Sequence, residues 1–521
     1  MTTFGFSGGC TGCGLSRRQI LRVGCATCAG ALGVLGLPHL LRGEQAAGKV
    51  QIRIVYSLHA EKQPGPDWPN KGFDFAPVMA CINDELAKRC PGFEFVSSMA
   101  KGPEEAKKIL EDDKSAAIDG YLVYQMNCWN RVVQTIAASG KPVLYADFQY
   151  AGSGGFLVYT AGFLRAKAPN VGFVASSNLD DLVAAVKCFE LVKKGGSVAD
   201  FVAATAKART ERTPKPGDLT AKPDALKTVS IDECLKQMKA SKILAVRNQE
   251  SGPAEPVMDI PMEKVSFAEV NDAWKAADKD QAREVADRWQ KSAALVEGVS
   301  RETLETSAAM YLGMKAVLKK HGANAITVNC LGGFYGGHIH AYPCLGFHEL
   351  CNEGLVGACE CDVRSTSTMV TMTALTQGRT GFISDPVIDT AKRQIIYAHC
   401  VAANRMFGPQ GEANPFQILT HSEDRQGASV RSILPVGYMT TTIEMRPDRK
   451  EILFHQGKAV ANDPDDRACR TKLCAEPVGD IEKLFAEWDQ WGWHRVTVYG
   501  DLKEQIQALA GAMGYKIVAE A

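Results

Sequence analysis

The side chains that bind cations and move protons are concentrated between Asn329 and Cys400. This stretch holds His338, His340, His348-Glu349, Glu353, Glu360, Asp362, Asp385 and His399, set among turn residues in otherwise apolar sequence. Carboxylate oxygens and imidazole nitrogens at that density suit a hard or borderline divalent cation, whereas soft thiolates select zinc or copper. Each residue alone has a plainer reading. An aspartate at a strand end caps a turn, and a lone histidine such as His399 is a buried imidazole bonded to backbone.

The order of the residues narrows the choice. The informative stretches are Ala323 to Cys330, Glu353-Gly354 followed by Ala358-Cys359-Glu360-Cys361-Asp362, Thr373-Ala374-Leu375 with Gly378, Phe382-Ile383-Ser384-Asp385, and Ala398-His399-Cys400. Near the C-terminus come Trp491-Gly492-Trp493-His494 and Val498-Tyr499-Gly500-Asp501. Together they resemble the L-fucose isomerase and L-arabinose isomerase superfamily, over roughly residues 50 to 521 and most densely from 300 to 400. The resemblance implies two N-terminal α/β domains, a C-terminal barrel-like domain and a homo-oligomer, trimer or hexamer. It also implies interconversion of aldoses and ketoses with bound Mn²⁺ or a similar divalent cation. Glu360, Asp385 and His494 match the metal ligands, and His399 matches a further ligand of the arabinose isomerase branch.

That chemistry suits these residue types. Moving a proton between C1 and C2 of an open-chain sugar needs a base, an acid and a cation that stabilises the enediolate charge. Glu360 and Asp385 are the candidate proton carriers. Trp488, Trp491 and Trp493 are candidates for stacking on a sugar ring or for the core. Tyr124 to Trp129 follows a predicted strand, where polar residues line ligand crevices. His338 and His340, after Gly336-Gly337, are read as a loop near the site. A serine hydrolase has no anchor, because no Gly-x-Ser-x-Gly elbow follows a predicted strand.

The elements that must hold these residues follow from periodicity. Ile52 to Ser57, Phe93 to Val96, Ala117 to Tyr124, Pro142 to Tyr145 and Val171 to Ala175 read as strands. Between them, Val78, Ile82 and Leu86 mark a helix face, and Pro103-Glu104-Glu105 opens another helix. Strands alternating with helices predict a mainly parallel sheet. The Pro-rich stretch from Ala206 reads as a linker, and a second α/β unit follows. After Pro415 the alternation fades into short β segments. The expected fold is therefore two Rossmann-like α/β domains at 48–205 and 230–414, joined by a linker at 206–229, then a β-rich domain at 415–521.

Composition sets the outer limits. The 521 residues carry 59 Lys+Arg against 59 Asp+Glu, which argues against a nucleic-acid partner, and 45 % hydrophobic with 23 % charged residues is globular. Ser16-Arg17-Arg18 before a weakly apolar run predicts a twin-arginine export signal over 1–47, a periplasmic or otherwise exported protein, and no membrane anchor once the signal is removed. Cys10-x2-Cys13 and Cys25-x2-Cys28 are a rival zinc reading of the same segment. Cys469 and Cys474 have no catalytic reading. Export is unexpected for a catabolic isomerase, so a non-catalytic exported sugar-binding protein that keeps the fold stands as the alternative. Retention of all three expected ligands favours the enzyme.

Overall fold

A computed structural model describes residues 48–521. The expected export signal, its Arg17-Arg18 pair and the cysteines at 10, 13, 25 and 28 lie outside the described residues. The first sheet consists of β1 (Val50–Ser57), β2 (Phe93–Ala100), β3 (Gly120–Gln125), β4 (Val143–Asp147) and β5 (Val171–Val174). All its pairings are parallel, in the order β2-β1-β3-β4-β5. Ile52, Ile54, Val55 and Tyr56 of β1 are all buried, as both faces of a parallel strand must be when helices cover each side. The helix Ala76–Arg89 supplies part of that cover through Val78, Ile82 and Leu86.

The chain then forms β6 (Ile243–Arg247), β7 (Gly252–Val257), β8 (Ile260–Ser266), the short β9 (Leu295–Glu297), β10 (Ala325–Val328) and β11 (Val356–Cys359). Five of these make a second sheet, β11-β10-β6-β8-β7, parallel except for the edge strand β7. The segment expected as a linker is ordered differently. Its first residues continue the helix Val198–Arg212, and the remainder is a strap held to the barrel side. Arg379 binds Asp224 through both terminal nitrogens, and Lys222 N–H donates to the Gly437 carbonyl.

The last layer comprises β12 (Phe382–Asp389), β13 (Gln394–His399), β14 (Phe416–Leu419), β15 (Ser429–Ser432), β16 (Met439–Arg446), β17 (Glu451–Asn462), β18 (Thr471–Pro477), β19 (Arg495–Tyr499) and β20 (Lys516–Ala519). Six of them pair antiparallel in a ring, β16-β19-β12-β13-β18-β17, and the β16–β17 pairing closes it. The result is a closed barrel, which leaves no exposed edge among its own strands except where β20 adds in parallel to β17. β12 and β13 pair only with barrel strands, so the β layer begins at Phe382 and not at 415. Both strands are buried along almost their whole length, so no in–out alternation distinguishes a barrel strand from a buried parallel one. β14 and β15 join β9 in a small separate sheet. No helix among the described residues is long and apolar enough to cross a membrane.

Candidate metal centre

Glu360, Asp385, His399 and His494 come together although they are spread over 134 positions of sequence, each offering one donor atom within 4.8 Å of the others. Three come from one end of the barrel. Asp385 lies early in β12 opposite Ala398, His399 ends β13, and His494 immediately precedes β19. Glu360 arrives from the other side, just beyond the C-terminal end of β11. The centre therefore spans the seam between the second sheet and the barrel.

Glu360 is aimed by an unusual turn. Glu360 and Cys361 both have positive φ, 64° and 50°, a conformation costing about 1–2 kcal/mol for a residue with a side chain. Strain of this kind collects where a side chain must be presented in one direction. The turn is pinned by Cys361 N–H donating to the Val328 carbonyl, and by Arg247 donating to the Cys361 carbonyl at 2.8 Å and to its sulfur at 3.1 Å. His494 follows Gly492, whose φ of +77° lets the chain pass Arg364; an added Cβ would lie 2.5 Å from that guanidinium.

Hydrogen bonding decides which atoms of the centre are open to a ligand. His494 Nδ1–H donates to Asp362 Oδ2 at 2.9 Å, so the lone pair of Nε2 faces Asp385 Oδ1 at 3.0 Å and Glu360 Oε2 at 3.4 Å. His399 Nε2 lies 3.7 Å from Asp385 and 3.8 Å from Glu360. Asp385 Oδ1, His494 Nε2 and both ring nitrogens of His399 are buried without a hydrogen-bond partner. The backbone-bonded reading of His399 is thereby corrected: no carbonyl reaches either nitrogen. Buried lone pairs facing one another are satisfied by a proton or a metal cation between them. Oxygen and imidazole donors converging in this way can hold a divalent metal ion.

The electrostatics agree. Burial alone would raise the Glu360 carboxyl, but His494 and His399 hold it below the usual range. Burial would also raise Asp362, yet its bond from His494 and its backbone donors keep it far below that range. Conversely, burial acts to lower His494, and the surrounding carboxylates Glu360, Asp362 and Asp385 overcome it and push the imidazole well up. The pocket is built for positive charge.

The centre opens into a cleft of about 460 Å³ where all three layers meet. Its aromatic wall is Trp493, with Trp129 at 6.2 Å and Trp68 at 6.4 Å between ring centroids, both close to perpendicular. Trp493 packs on Gly154, where a Cβ would approach the indole to 2.8 Å. Asp67, Glu360, Asp385 and Glu423 are the charged residues of the lining, and all are acidic. Of the three tryptophans singled out by sequence, Trp488 and Trp491 are buried in the core and only Trp493 lines the cleft. From Tyr124 to Trp129, Cys128 and Trp129 reach it. His338 instead stacks on Phe267 and His340 lies against Trp274, while the preceding Leu331, Gly332 and Tyr335 line the cleft. Cys469 approaches Asp385 Oδ2 at 3.9 Å, Cys474 is buried in β18, and none of the thirteen cysteines among the described residues forms a disulfide. Asp362 lies in the stretch the sequence singled out, though not as the partner of His494, whereas Glu423 and Asp67 carry no sequence signal beyond their position in loops.

Fold and centre define an α/β protein with a closed β-barrel and a buried oxygen–nitrogen cluster that could hold a metal ion. Known proteins narrow this further. The chain is 26 % identical over 208 residues to the sulfoquinovose isomerase of Clostridium sp. (strain MSTE9), covering 39 % of this chain and 45 % of that protein. It is 24 % identical over 247 residues to the sulfoquinovose isomerase of Priestia aryabhattai, covering 46 % and 54 %. It thus spans about half the length of these curated relatives. No family model matches. A cellobiose complex of the transcriptional regulator CelR overlaps 54 % of this chain and 68 % of its own at 12 % identity, with a TM-score of 0.16, too low to inform fold or function.

Proposed function

We propose that this chain is a metal-dependent aldose–ketose isomerase, an L-fucose isomerase-like intramolecular oxidoreductase acting on a free monosaccharide or sugar derivative through an enediol. The observation that carries the reading is the set of partnerless atoms on Asp385, His399 and His494, converging with Glu360 at the floor of an acidic, aromatic cleft. The sulfoquinovose isomerase relatives support a sugar as substrate. Glu360, Asp385 and His494, with His399 as fourth donor, would hold Mn²⁺ or a similar cation. Such a cation, when bound, supplies Lewis acidity that polarises the carbonyl and offsets enediolate charge.

The protein's own groups do the remainder. Trp493, Trp129 and Trp68 present an apolar face to the sugar and exclude water from one side of it. Asp362 fixes the tautomer and ring orientation of His494. Glu360 and Asp385 take the proton from C2 and return one to C1. The two α/β layers are read as Rossmann-like, the assembly as a trimer or hexamer, and the location as periplasmic or otherwise exported.

The test is ketose formation from a panel of aldoses, including sulfoquinovose, with Mn²⁺ added or chelated, run in D₂O. Manganese-dependent ketose carrying deuterium at C1 is expected. Glu360→Gln and Asp385→Asn should each lose about 10²–10⁴-fold in kcat, with metal content measured on the same samples. No ketose under either condition overturns the isomerase. Ketose formed without deuterium uptake replaces the enediol with a hydride shift.

A further inference from the structure

Glu423 sits in the loop between β14 and β15, outside the four-donor centre, and lines the same cleft as Glu360 and Asp385. Its place is fixed from several directions. The Tyr335 hydroxyl donates to its Oε2 at 2.7 Å, and the Lys71 N–H donates to its backbone carbonyl at 2.7 Å. The neighbouring Asp424 is held by Tyr342 and faces His421 Nδ1 at 3.4 Å. A carboxyl so firmly held in a cleft wall, with no salt-bridge partner among the described residues, is suited to act on substrate.

A free aldose is mostly a closed hemiacetal, and chemistry at C1 and C2 needs the open chain. Opening breaks the bond between C1 and the ring oxygen. A sugar presenting C1 and C2 to Glu360, Asp385 and His494 leaves its ring oxygen facing another part of the cleft. We propose that Glu423 is a catalytic residue that serves as the general acid of ring opening, an inference that rests on the isomerase reading. The Glu423 carboxyl gives its proton to the ring oxygen, which takes the electron pair of the breaking C1–O bond. The O1–H bond breaks toward the Asp385 carboxylate, and its electron pair becomes the second bond of the C1 carbonyl. Asp385 then passes its proton to water, and Glu423 regains one from water, so the site is reset with no net change in protons.

The surroundings favour a carboxyl that keeps its proton near neutrality. Burial pushes Glu423 up to about 7, against the pull of His421 and the Tyr335 hydroxyl, while Glu360 and Asp67 add to the rise. General acids work best when their pKa lies near the working pH.

The experiment measures α/β anomer exchange of D-glucose, D-arabinose and sulfoquinovose by NMR magnetisation transfer, alongside ketose formation, for wild type, Glu423→Gln and Tyr335→Phe. Wild type should accelerate anomer exchange of at least one sugar, and Glu423→Gln should lose about 10²-fold or more of that acceleration with unchanged metal content. Its loss in isomerisation should be at least tenfold smaller on glyceraldehyde, which closes no ring. Tyr335→Phe, lacking the bond that holds Glu423 down, should extend activity to higher pH, and decides the matter alone if Glu423→Gln does not fold. Wild-type anomer exchange in Glu423→Gln, equal losses on glyceraldehyde and the ring sugars, an unmoved pH limb in Tyr335→Phe, or no acceleration by wild type each overturns the inference. Glu423-dependent anomer exchange without ketose formation sustains the inference and overturns the isomerase.

Discussion

Asp362 accepts the Nδ1–H of His494 at 2.9 Å while the same carboxylate caps the helix Val363–Leu375 through the N–H groups of Arg364 and Ser365. One side chain thereby ties the orientation of a candidate ligand to the start of a buried helix. Ser365 Oγ also donates to Asp362 Oδ2 at 2.9 Å and lies 3.1 Å from Glu444, whose carboxyl burial pushes up to about 8, so that it can donate to the serine oxygen. His494 is thus set by a chain of contacts that reaches into the barrel.

The dual role of Asp362 makes its two functions separable. Asp362→Asn keeps a capping oxygen and should weaken Mn²⁺ binding by about 10–100-fold with little loss of stability. Asp362→Ala removes both and should cost about 1 kcal/mol more through the lost cap. Titration calorimetry and thermal melting of the two variants check this; equal Mn²⁺ affinity in Asp362→Asn and wild type removes the orienting role.

The C-terminus supports the site through a buried ion network. Glu520 is bound by Arg495 at 2.8 Å and by His455 Nδ1 at 2.7 Å, all fully buried, and Arg495 directly follows His494. Glu520→Gln leaves Arg495 without its counter-charge and should destabilise the fold by about 3–5 kcal/mol, read as a lower denaturation midpoint.

The same network sets an acid limit. Burial works to raise Glu520, but Arg495 and His455 hold it at about 2, below the ~4.3 of an unfolded glutamate. The depressed pKa contributes stability that is present above ~4.3 and is lost as pH falls toward about 2. Denaturation midpoints measured between pH 5 and pH 2.5 should fall more steeply for wild type than for Glu520→Gln.

Substrate charge offers a further check. Among the described residues no cationic side chain lines the cleft, and its four charged residues are acidic. A sulfonate brought there meets the carboxylates of Asp67, Glu360 and Asp385 and no cationic side chain, so neutral aldoses should be turned over at least tenfold better in kcat/KM than sulfoquinovose. Competition assays with both sugars in one tube decide the order, and a preference for sulfoquinovose would place a cation from elsewhere in the assembly at the cleft.

Export is proposed from Arg17-Arg18 alone. Replacing both with lysine should retain the protein in the cytoplasm, as cell fractionation would show; an unchanged distribution removes the twin-arginine route.

The α/β alternation of the first layer was legible in the sequence because helix and strand periods there are local. Val78, Ile82 and Leu86 recur at the spacing of one helix face, and β1, β3, β4 and β5 are apolar runs bounded by turns. Glu360, Asp385, His399 and His494 were legible as chemistry, since residue type and order carry it. The start of the barrel was not, because β12 is buried along its whole length and reads the same in a parallel sheet or a barrel. Nor could the sequence decide between a backbone-bonded and an open His399, a matter of which carbonyl comes near in space. Trp493 differs from Trp488 and Trp491 only through the turn at Gly492, which faces one indole into the cleft and leaves the others in the core. Glu423 and Asp67 are ordinary turn residues in sequence, and barrel closure together with the seam between layers brings them to one wall. Local spacing determined which residues could bind and transfer protons. Long-range strand pairing alone decided which of them meet, because pairing acts between segments that have no periodic relation along the chain.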